Sequence, residues 1–437
     1  MKRASALVAV ALALFAILRP GPTGVRPPPN IVLILIDTLR RDHLPFYRYS
    51  KPTAPFLSEL AARGLVFERA HSTSSWTPPA TASLFTSLYP FQHEVLRGFQ
   101  LAQRLQRLRG TSIRLTPVPN AAETLAEALS RRGYRTFAIT ENPNLVPEMG
   151  FAQGFRHFSG FPKSLDAETI LKRLGEIQPA LQAERPYFLY LHFMDVHGPY
   201  RGRPPLYDGT LVDETERKIS AYDSGIRSLD ERLRQTFATC GWQQNTLLLV
   251  TADHGEELGD RGSWGHGATL FAEVMDVPLV VYPPGGMAPR RSLERVSLID
   301  VLPTLREVAG LPPAATDQGV SLLPLIDGRR AALAPRALFA HLWRGTTRDG
   351  GDRTLKAAIE GDWKWIGGDG LGARLFHLSE DPGERVNRER DEPERLMRLR
   401  DRYRDFETRS YKYSAEGVDL DLDADALESL KALGYVN

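Results

Sequence analysis

Apolar residues recur along the chain in short runs that are rich in β-branched and aromatic side chains. Each run is bounded by Gly, Pro or polar residues, which interrupt regular structure. A continuous apolar run with such boundaries is typical of a strand buried on both faces of a parallel sheet. The runs with this strand pattern are NIVLILID, YRTFAIT, YFLYLHF, NTLLLVT and VPLVVY.

Helical patterns lie between these predicted strands. The segment PPATASLFTSLYP opens with prolines, which the first helical turn tolerates, so we expect a helix to begin there. Its N-terminus is expected to direct backbone N–H groups and the positive end of the helix dipole at whatever lies beside Thr77. Further helices are predicted in TAPFLSELAARG, AAETLAEALSRRG and YDSGIRSLDERLRQTF. The alternation predicts an α/β fold with a large, mostly parallel sheet sandwiched by helices.

The pattern changes near Arg330, where short extended segments replace the alternation of strands and helices. These segments are ALFAHLW, LKAAIEG, WKWIGG and RLFHLSEDPGE, and the charged helical stretch EPERLMRLRDRYRDFETRSY follows them. We therefore predict a catalytic domain over 29–330 and a smaller C-terminal subdomain over 331–437, formed by an antiparallel sheet plus a helix. Residues 1–28 form a separate N-terminal segment with a Pro-rich linker.

The N-terminal segment has the order of an export signal. Lys2 and Arg3 precede the apolar run ALVAVALALFAIL, and RPGPTGVRPPP then breaks any helix. The run is shorter than the roughly 20 residues of a spanning helix, which favours a signal peptide. No Ala-x-Ala cleavage site follows, so a single N-terminal membrane anchor stays open. We expect an exported protein that is periplasmic, extracellular or anchored facing outside.

Composition narrows the function classes further. With 437 residues, 42% hydrophobic and 25% charged, the chain has ordinary globular composition and the length for a deep cleft. Its 55 basic and 53 acidic residues give a net charge of +2, which does not indicate nucleic-acid binding. The single cysteine, Cys240, excludes an intramolecular disulfide and a cysteine-based zinc cluster.

Residues able to carry chemistry cluster at the ends of three predicted strands, where open α/β sheets place their active sites. The first cluster holds Asp37, and the other two are HFMDVHGPY and TADHGEELGDRGSWGHG. In the third, Asp253 and His254 are adjacent, a ligand pair suited to a divalent metal ion, and Gly255 permits close backbone approach. Four of the ten histidines lie in the last two clusters: His192, His197, His254 and His266.

Longer blocks of the chain resemble, in the same order, a bacterial protein of the sulfatase family within the alkaline phosphatase superfamily. They are PNIVLILIDTLRRDHL, PTAPFLSELAARGLVFERAHSTSSWTPPATASLFTSLYP, FLYLHFMDVHGPY and TADHGEELGDRGSWGHGATLFAEVMDVPLVVYPP. The C-terminal RLFHLSEDPGERVN and LKALGYVN are also similar to that family. The resemblance therefore runs from Pro29 almost to the last residue, and it implies an enzyme acting on ester bonds.

The resemblance also implies roles for single residues. It implies a divalent metal ion held by Asp37, Asp253 and His254, with Thr77 at the position of the covalent nucleophile and bridging to the same ion. Histidines matching His197 and His266 hold the anionic oxygens of the substrate or protonate the leaving group.

The chain departs from the family pattern at the nucleophile. Sulfatases proper carry Cys or Ser, oxidised to formylglycine, in a Cys/Ser-x-Pro-x-Arg signature, whereas this chain has Thr77-Pro78-Pro79-Ala80-Thr81. Threonine cannot form the same aldehyde because of its extra methyl group, and Thr81 replaces the arginine. A threonine nucleophile resembles that of the phosphoryl-transferring relatives, so phosphoester chemistry is favoured over sulfate-ester chemistry.

The metal site departs from the pattern as well. Thr38 stands where many sulfatases place another metal-binding aspartate. With two carboxylates and one imidazole, the ion stays open between Ca²⁺, Mn²⁺, Mg²⁺ and Zn²⁺. One hypothesis is that Asp195, His197 and His266 together bind a second ion. The alternative is that Asp195 only orients a histidine. We expect His192 to be structural.

Three functions are compared. The leading hypothesis is a metal-dependent hydrolase of sulfate or phosphate esters, whose anionic substrate is glycan- or lipid-linked. The runner-up is a phosphoethanolamine- or phosphoglycerol-type transferase acting on envelope lipid or glycan, but such transferases usually carry several membrane spans. The third is an inactive binding protein with the sulfatase fold. The retention of five site residues argues against it: Asp37, Asp253, His254, His197 and His266.

Overall fold

The structure is a computed structural model that describes residues 28–98, 115–160, 167–346, 352–368, 371–413 and 415–418. The predicted export run lies outside these described residues. Within them, no helix combines the length and the apolar character that crossing a membrane requires.

A large mixed sheet of nine strands occupies the centre of the fold. In chain order, the strands of this sheet and of a separate short pair are β1 (Asn30–Ile36), β2 (Leu65–His71), β3 (Arg135–Thr140), β4 (His157–Ser159), β5 (Tyr187–Phe193), β6 (Thr246–Thr251), β7 (Glu257–Leu258), β8 (Trp264–Gly265), β9 (Asp276–Val277), β10 (Leu279–Tyr282) and β11 (Arg290–Ser297). The separate pair is formed by β7 and β8.

The strand order across the large sheet is β11-β2-β10-β6-β1-β5-β3-β4, and β9 pairs with β2. The central strand β1 runs parallel to β5 and β6, and β3 runs parallel to β5 and β4. Every residue of β1 is buried, as expected for a strand with helices on both faces. The predicted mostly parallel α/β sheet is thus confirmed, although β10 lies antiparallel between β6 and β2.

Helices cover the sheet on both faces. The longest, α6 (Glu214–Thr239), begins at a true N-cap, because the Asp213 carboxylate accepts a hydrogen bond from the backbone N–H of Glu216. The helix α4 (Leu125–Arg131) begins with a reciprocal capping box between Thr124 and Glu127. In chain order the helices are α1 (Pro55–Ala61), α2 (Thr77–Thr86), α3 (Pro90–His93), α4 (Leu125–Arg131), α5 (Ala167–Ala183), α6 (Glu214–Thr239), α7 (Trp242–Asn245), α8 (Ala272–Met275), α9 (Val301–Val308) and α10 (Leu323–Ile326).

The helix α2 differs from the others because every one of its residues is buried. Its sequence TPPATASLFT has small or apolar side chains on all faces, which is the composition of a helix enclosed by protein. It packs against α9 and against the turn at Leu298–Asp300. The first residue of α2 is therefore held rigidly.

A second sheet follows the large one. It is an antiparallel meander of β12 (Ala337–Thr346), β13 (Asp352–Glu360), β14 (Trp363–Gly368) and β15 (Leu371–His377), in that order. The helix α11 (Pro393–Arg409) packs on it through the buried side chains of Leu399 and Tyr403. The predicted C-terminal antiparallel sheet plus helix is thus confirmed.

The C-terminal sheet is fixed to the loop between β8 and α8. A shared apolar cluster joins Leu270 and Phe271 of this loop to Ile366 and Phe376 of the sheet. The guanidinium of Arg261 donates to the backbone carbonyls of Gly383 and Glu384, beyond β15. This loop also carries His266, so the C-terminal subdomain supports one wall of the site described next.

Candidate active site and metal centre

Two strand ends bring the carboxylates of the site together. Asp37 directly follows β1, and Asp253 follows β6 after a single intervening residue. The parallel pairing aligns Leu35 of β1 with Thr251 of β6, so the segments that follow these two strands leave the sheet side by side. This is the edge at which open α/β sheets bind ligands.

The structure places Asp37, Asp253 and His254 in one fully buried group, hereafter the metal-binding group. Its potential ligand atoms all lie within 4.8 Å of one another. Neither Asp37 Oδ1 nor Asp253 Oδ2 has a hydrogen-bond partner. A buried polar atom without a partner costs about 1–3 kcal/mol, and more when it is charged, unless a cation balances it. Two carboxylates and an imidazole are suitable ligands for a divalent cation. The residues present therefore fit such an ion.

The ring of His254 is oriented for this role. Its Nδ1 lies 2.8 Å from the carbonyl oxygen of Gly255, which can only accept a hydrogen bond. Nδ1 therefore carries the proton, and the Nε2 lone pair faces the carboxylates. A Cβ atom at Gly255 would lie 2.1 Å from the backbone oxygen of Glu273, so only glycine fits beside this ligand.

The two carboxylates differ in their electrostatics. Burial opposes ionisation of Asp37, but the hydrogen bond from His192 and the other nearby histidines hold its pKa below the ordinary range. Burial and the charge of Asp37 raise the pKa of Asp253. Like charges so close together disfavour double ionisation. A cation between them would favour the ionised form of both.

Thr77 is the first residue of α2 and reaches the same group. Its Oγ1 lies 3.2 Å from His254 Nε2 and 3.4 Å from Asp37 Oδ2, and the residue is buried. The preceding residue, Trp76, is extended, with φ −144° and ψ 137°, so the chain turns sharply into the helix at Thr77.

The start of α2 offers fewer hydrogen-bond donors than the sequence pattern predicts. Pro78 and Pro79 have no backbone N–H, and the N–H of Ala80 already donates to the carbonyl of Trp76. Among the first four residues of α2, only Thr77 therefore has a backbone N–H that is not used in the hydrogen bond to Trp76. The prediction of several backbone donors beside Thr77 was wrong, whereas the helix dipole remains.

The ring of His266 lies next to those of His254 and His197, in a tilted and an edge-on contact respectively. The ring centroids of His254 and His266 are 4.5 Å apart, and those of His266 and His197 are 5.1 Å apart. Nδ1 of His266 lies 2.8 Å from Glu256 Oε1. Burial acts to lower the pKa of His266, but the Glu256 charge outweighs it and the pKa is raised. Burial lowers the pKa of His197, so the two rings suit different protonation states.

The arrangement does not favour a second ion held by Asp195, His197 and His266. Among the described residues, the Asp37 group is the only set of three such side chains whose ligand atoms come together. Asp195 instead lies 3.8 Å from the guanidinium of Arg203, and His266 is bonded to Glu256.

The structure adds two residues to those expected at the site. His192 was expected to be structural, yet its Nε2 lies 3.0 Å from Asp37 Oδ2. Asn142, just beyond β3, donates from Nδ2 to the same oxygen at 2.8 Å. The apolar run YRTFAIT placed Asn142 near a strand end, but a lone asparagine there belongs to no motif.

Thr38 has an unusual backbone conformation beside the metal-binding group. Its φ of 58° is in the left-handed region, which β-branched residues rarely adopt. Two hydrogen bonds fix it, from Tyr222 O–H to the Thr38 carbonyl and from Thr38 Oγ1 to the Asp37 carbonyl. In this conformation the Thr38 N–H points at Asp253 Oδ1, 3.4 Å away. The strained residue thus links the backbone at Asp37 to the Asp253 carboxylate, and such strained residues are often found at functional sites.

Comparisons with known proteins identify the family of this chain. The family model named Sulfatase matches residues 29–311. Choline-sulfatase of Rhizobium meliloti (strain 1021) is 31% identical over 82% of each chain, and human arylsulfatase A is 29% identical over 70% of this chain and 69% of its own. The crystal structure of a phosphonate monoester hydrolase of Agrobacterium radiobacter has the same fold, with a TM-score of 0.67 at 20% identity, covering 86% of this chain and 96% of that one. The chain belongs to the sulfatase family and is an ester-hydrolysing enzyme.

Proposed function

We propose that this protein is a metal-dependent hydrolase of sulfate or phosphate esters in which Thr77 is the nucleophile, and that phosphoesters are the favoured substrates. The observation that carries the proposal is the position of Thr77 Oγ1, 3.2 Å from His254 Nε2 and 3.4 Å from Asp37 Oδ2. An unmodified hydroxyl at this position supports direct attack on phosphorus and needs no conversion to formylglycine.

Asp37, Asp253 and His254 would hold the ion. When bound, a divalent ion lowers the pKa of a nearby hydroxyl and neutralises charge on the transferred group. The family to which the chain belongs supports this role, as do the two carboxylate oxygens without hydrogen-bond partners.

The protein residues then perform two steps. Before the first step, the Thr77 hydroxyl loses its proton to solvent. In the first step, the ionised Thr77 Oγ1 attacks phosphorus, the ester bond breaks, and the leaving oxygen takes a proton from His266, whose pKa is raised. The product of this step is phospho-Thr77. In the second step, His266 takes a proton from the water that attacks phosphorus, the bond from phosphorus to Oγ1 breaks, and Thr77 is released as the ionised oxygen together with phosphate. His197, whose ring centroid lies 5.1 Å from that of His266, would contact the anionic oxygens of the substrate.

The experiment that tests this proposal has two arms. In the first, purified protein is assayed with sulfate monoesters, phosphate monoesters and phosphodiesters in the presence of Mn²⁺, Mg²⁺, Zn²⁺ or Ca²⁺. We expect a phosphoester to be the best substrate. Preferential cleavage of sulfate monoesters, the esters that choline-sulfatase is named for, would contradict the choice of phosphorus. Transfer of phosphate to an added alcohol instead of water would favour the transferase.

The second arm addresses Thr77 directly. Thr77→Val keeps the shape of the side chain and removes the hydroxyl, so we expect it to lose several orders of magnitude in kcat, whereas Thr77→Ser keeps much of it. Acid quench during turnover of a phosphoester should give a phosphate-sized mass adduct on the Thr77 peptide. Thr86→Val is the matched control, because Thr86 is buried in the same helix and its hydroxyl forms local hydrogen bonds, to the Ala82 carbonyl and from the Leu88 N–H. Wild-type turnover in Thr77→Val would overturn the proposal.

We further propose that the enzyme acts outside the cytoplasm on glycan- or lipid-linked esters. The basic and apolar pattern that begins at Lys2 and Arg3 supports this location. Fractionation of cells that express the tagged full-length chain tests it, and recovery of the protein in the cytoplasm would contradict it.

A further inference from the structure

Asp37 is held by a hydrogen-bond network that the proposed reaction does not use. His192 in β5 and Asn142 after β3 both bond to the same oxygen, Asp37 Oδ2, at 3.0 Å and 2.8 Å. All three side chains are buried. We propose that His192 and Asn142 are positioning residues that orient the Asp37 carboxylate and thereby set the affinity of the site for its divalent ion. This inference rests on the metal site of the proposed function.

The direction of each hydrogen bond follows from chemistry. An ionised carboxylate only accepts, so Nε2 of His192 carries a proton and donates to Asp37. In the neutral ring Nδ1 is then an acceptor, and the Tyr190 hydroxyl, 2.8 Å away, donates to it. Tyr190 is buried and so remains a protonated hydroxyl, because burial raises its pKa well above the ordinary value. The Tyr190 hydroxyl therefore donates to His192, and His192 donates to Asp37.

The amide of Asn142 is oriented independently of His192. Its Oδ1 accepts a hydrogen bond of 2.9 Å from the backbone N–H of Asn144, which only an oxygen can do. Its Nδ2 must therefore face Asp37, as a donor. Two N–H donors thus reach one carboxylate oxygen, one from β5 and one from the segment after β3.

Because both donors bond to Oδ2 of Asp37, they also fix the position of its other oxygen, Oδ1. A carboxylate without fixed partners can rotate and exchange its oxygens, whereas two N–H donors hold Oδ2 in place. Oδ1 is left without a hydrogen bond, 3.9 Å from His254 Nε2. Neither donor adds negative charge to a site that already has two carboxylates. Residues that orient metal ligands in this way typically contribute about 10–100-fold in affinity.

A second buried histidine provides a matched control. His341 in β12 makes the same type of contact, with its Nδ1 2.8 Å from the hydroxyl of Tyr403, and it is not part of the metal-binding group. Variants at His341 and Tyr403 therefore reproduce the loss of a buried Tyr–His hydrogen bond without touching Asp37.

The experiment measures ion binding and not turnover. Full-length metal-free protein is titrated with Mn²⁺ and with Zn²⁺ against a competing chelator, and thermal unfolding is recorded with and without each ion. We expect His192→Leu and Asn142→Leu to weaken binding by about 10–100-fold. His192→Gln keeps an N–H donor and should lose less than His192→Leu.

The control variants His341→Leu and Tyr403→Phe should bind the ions as the wild type does, even where their unfolding temperature falls. Tyr190→Phe removes one oxygen atom and should weaken binding by a smaller factor than His192→Leu. Tyr190→Phe still tests the inference if His192→Leu or Asn142→Leu fails to fold. Unchanged affinity in the folded His192, Asn142 and Tyr190 variants would overturn the inference while leaving the proposed function intact. A wild-type protein that binds neither ion would overturn the metal site itself.

Discussion

The carboxylate of Glu256 accepts a hydrogen bond of 2.8 Å from His266, and both side chains are almost completely enclosed, at 2% and 7% exposure. Burial alone would make His266 a weak base. The buried negative charge of Glu256 reverses this, so the ring is prepared to carry a proton at the edge of the metal-binding group.

Replacement of Glu256 should therefore change the pH dependence of catalysis. Glu256→Gln removes the charge that raises the pKa of His266, so the pKa falls and the protonated acid is lost at lower pH. We expect the basic limb of the kcat/KM profile to move to lower pH, with activity at neutral pH falling by about 10²–10⁴-fold, as when a general acid is lost. Glu257→Gln is the control, since Glu257 accepts instead from Thr269. A basic limb that stays in place would exclude His266 as the acid.

Substitution of Asp253 should have opposite effects with and without metal. Burial and the Asp37 charge disfavour the ionised form of Asp253, so Asp253→Asn should raise the unfolding temperature of the metal-free protein. The same variant should lose the stabilisation that added ion gives the wild type, and its activity. Calorimetry with and without chelator measures both.

The control for Asp253 is Asp223→Asn. Asp223 is a buried carboxylate that accepts from His43 and Lys51, partners that help to hold its pKa below the ordinary value. Its loss should destabilise the protein in both conditions. Full activity of wild-type protein after complete removal of divalent ions would refute the metal dependence.

The strain at Thr38 predicts a difference in stability between two substitutions. Thr38→Gly and Thr38→Ala both remove the hydroxyl, but only glycine adopts φ 58° without a steric penalty. We expect Thr38→Gly to be more stable than Thr38→Ala by about 1 kcal/mol in urea unfolding of metal-free protein. Equal stability of the two variants would show that the left-handed conformation costs little here.

The buried ion pair between Lys364 and Glu384 predicts a pH dependence of stability. The two groups lie 2.7 Å apart, and burial raises the pKa of Glu384 to about 7, although Lys364 opposes this. Because the folded pKa exceeds that of the unfolded chain, about 4.3, the stabilising effect of proton binding is complete below pH 4.3. It is lost as the pH rises towards 7. Glu384→Gln should flatten the stability profile between these limits, whereas the exposed Glu380→Gln should not.

The sequence predicted the interior strands well, because β1, β3, β5 and β6 are continuous apolar runs. It did not identify β11 (Arg290–Ser297), a strand at the edge of the sheet that is rich in charged residues and lacks a continuous apolar run. It also missed α5, which contains Pro179. The antiparallel direction of β10 could not be read from VPLVVY, since local hydrophobicity carries no information on strand direction.

The candidate site was predicted in outline for a related reason. Residues at the C-terminal ends of parallel strands meet at one edge, so the clusters around Asp37 and Asp253 were expected to come together. The role of Asn142 depends on a contact with Asp37 across 105 positions of the chain, which no local pattern reports. Likewise, the left-handed conformation of Thr38 opposes the intrinsic preference of threonine and arises from tertiary contacts.

The metal-binding group is assembled from chain segments that are far apart in sequence, following β1 and β6 with α2 between them. A partly folded chain in which β6 has not joined β1 lacks the group altogether. An ion that binds only the complete fold stabilises it by mass action, by about 2.7 kcal/mol at a free concentration one hundred times its Kd. The supply of divalent ion where the chain folds would then determine how much native enzyme accumulates, as well as how active it is.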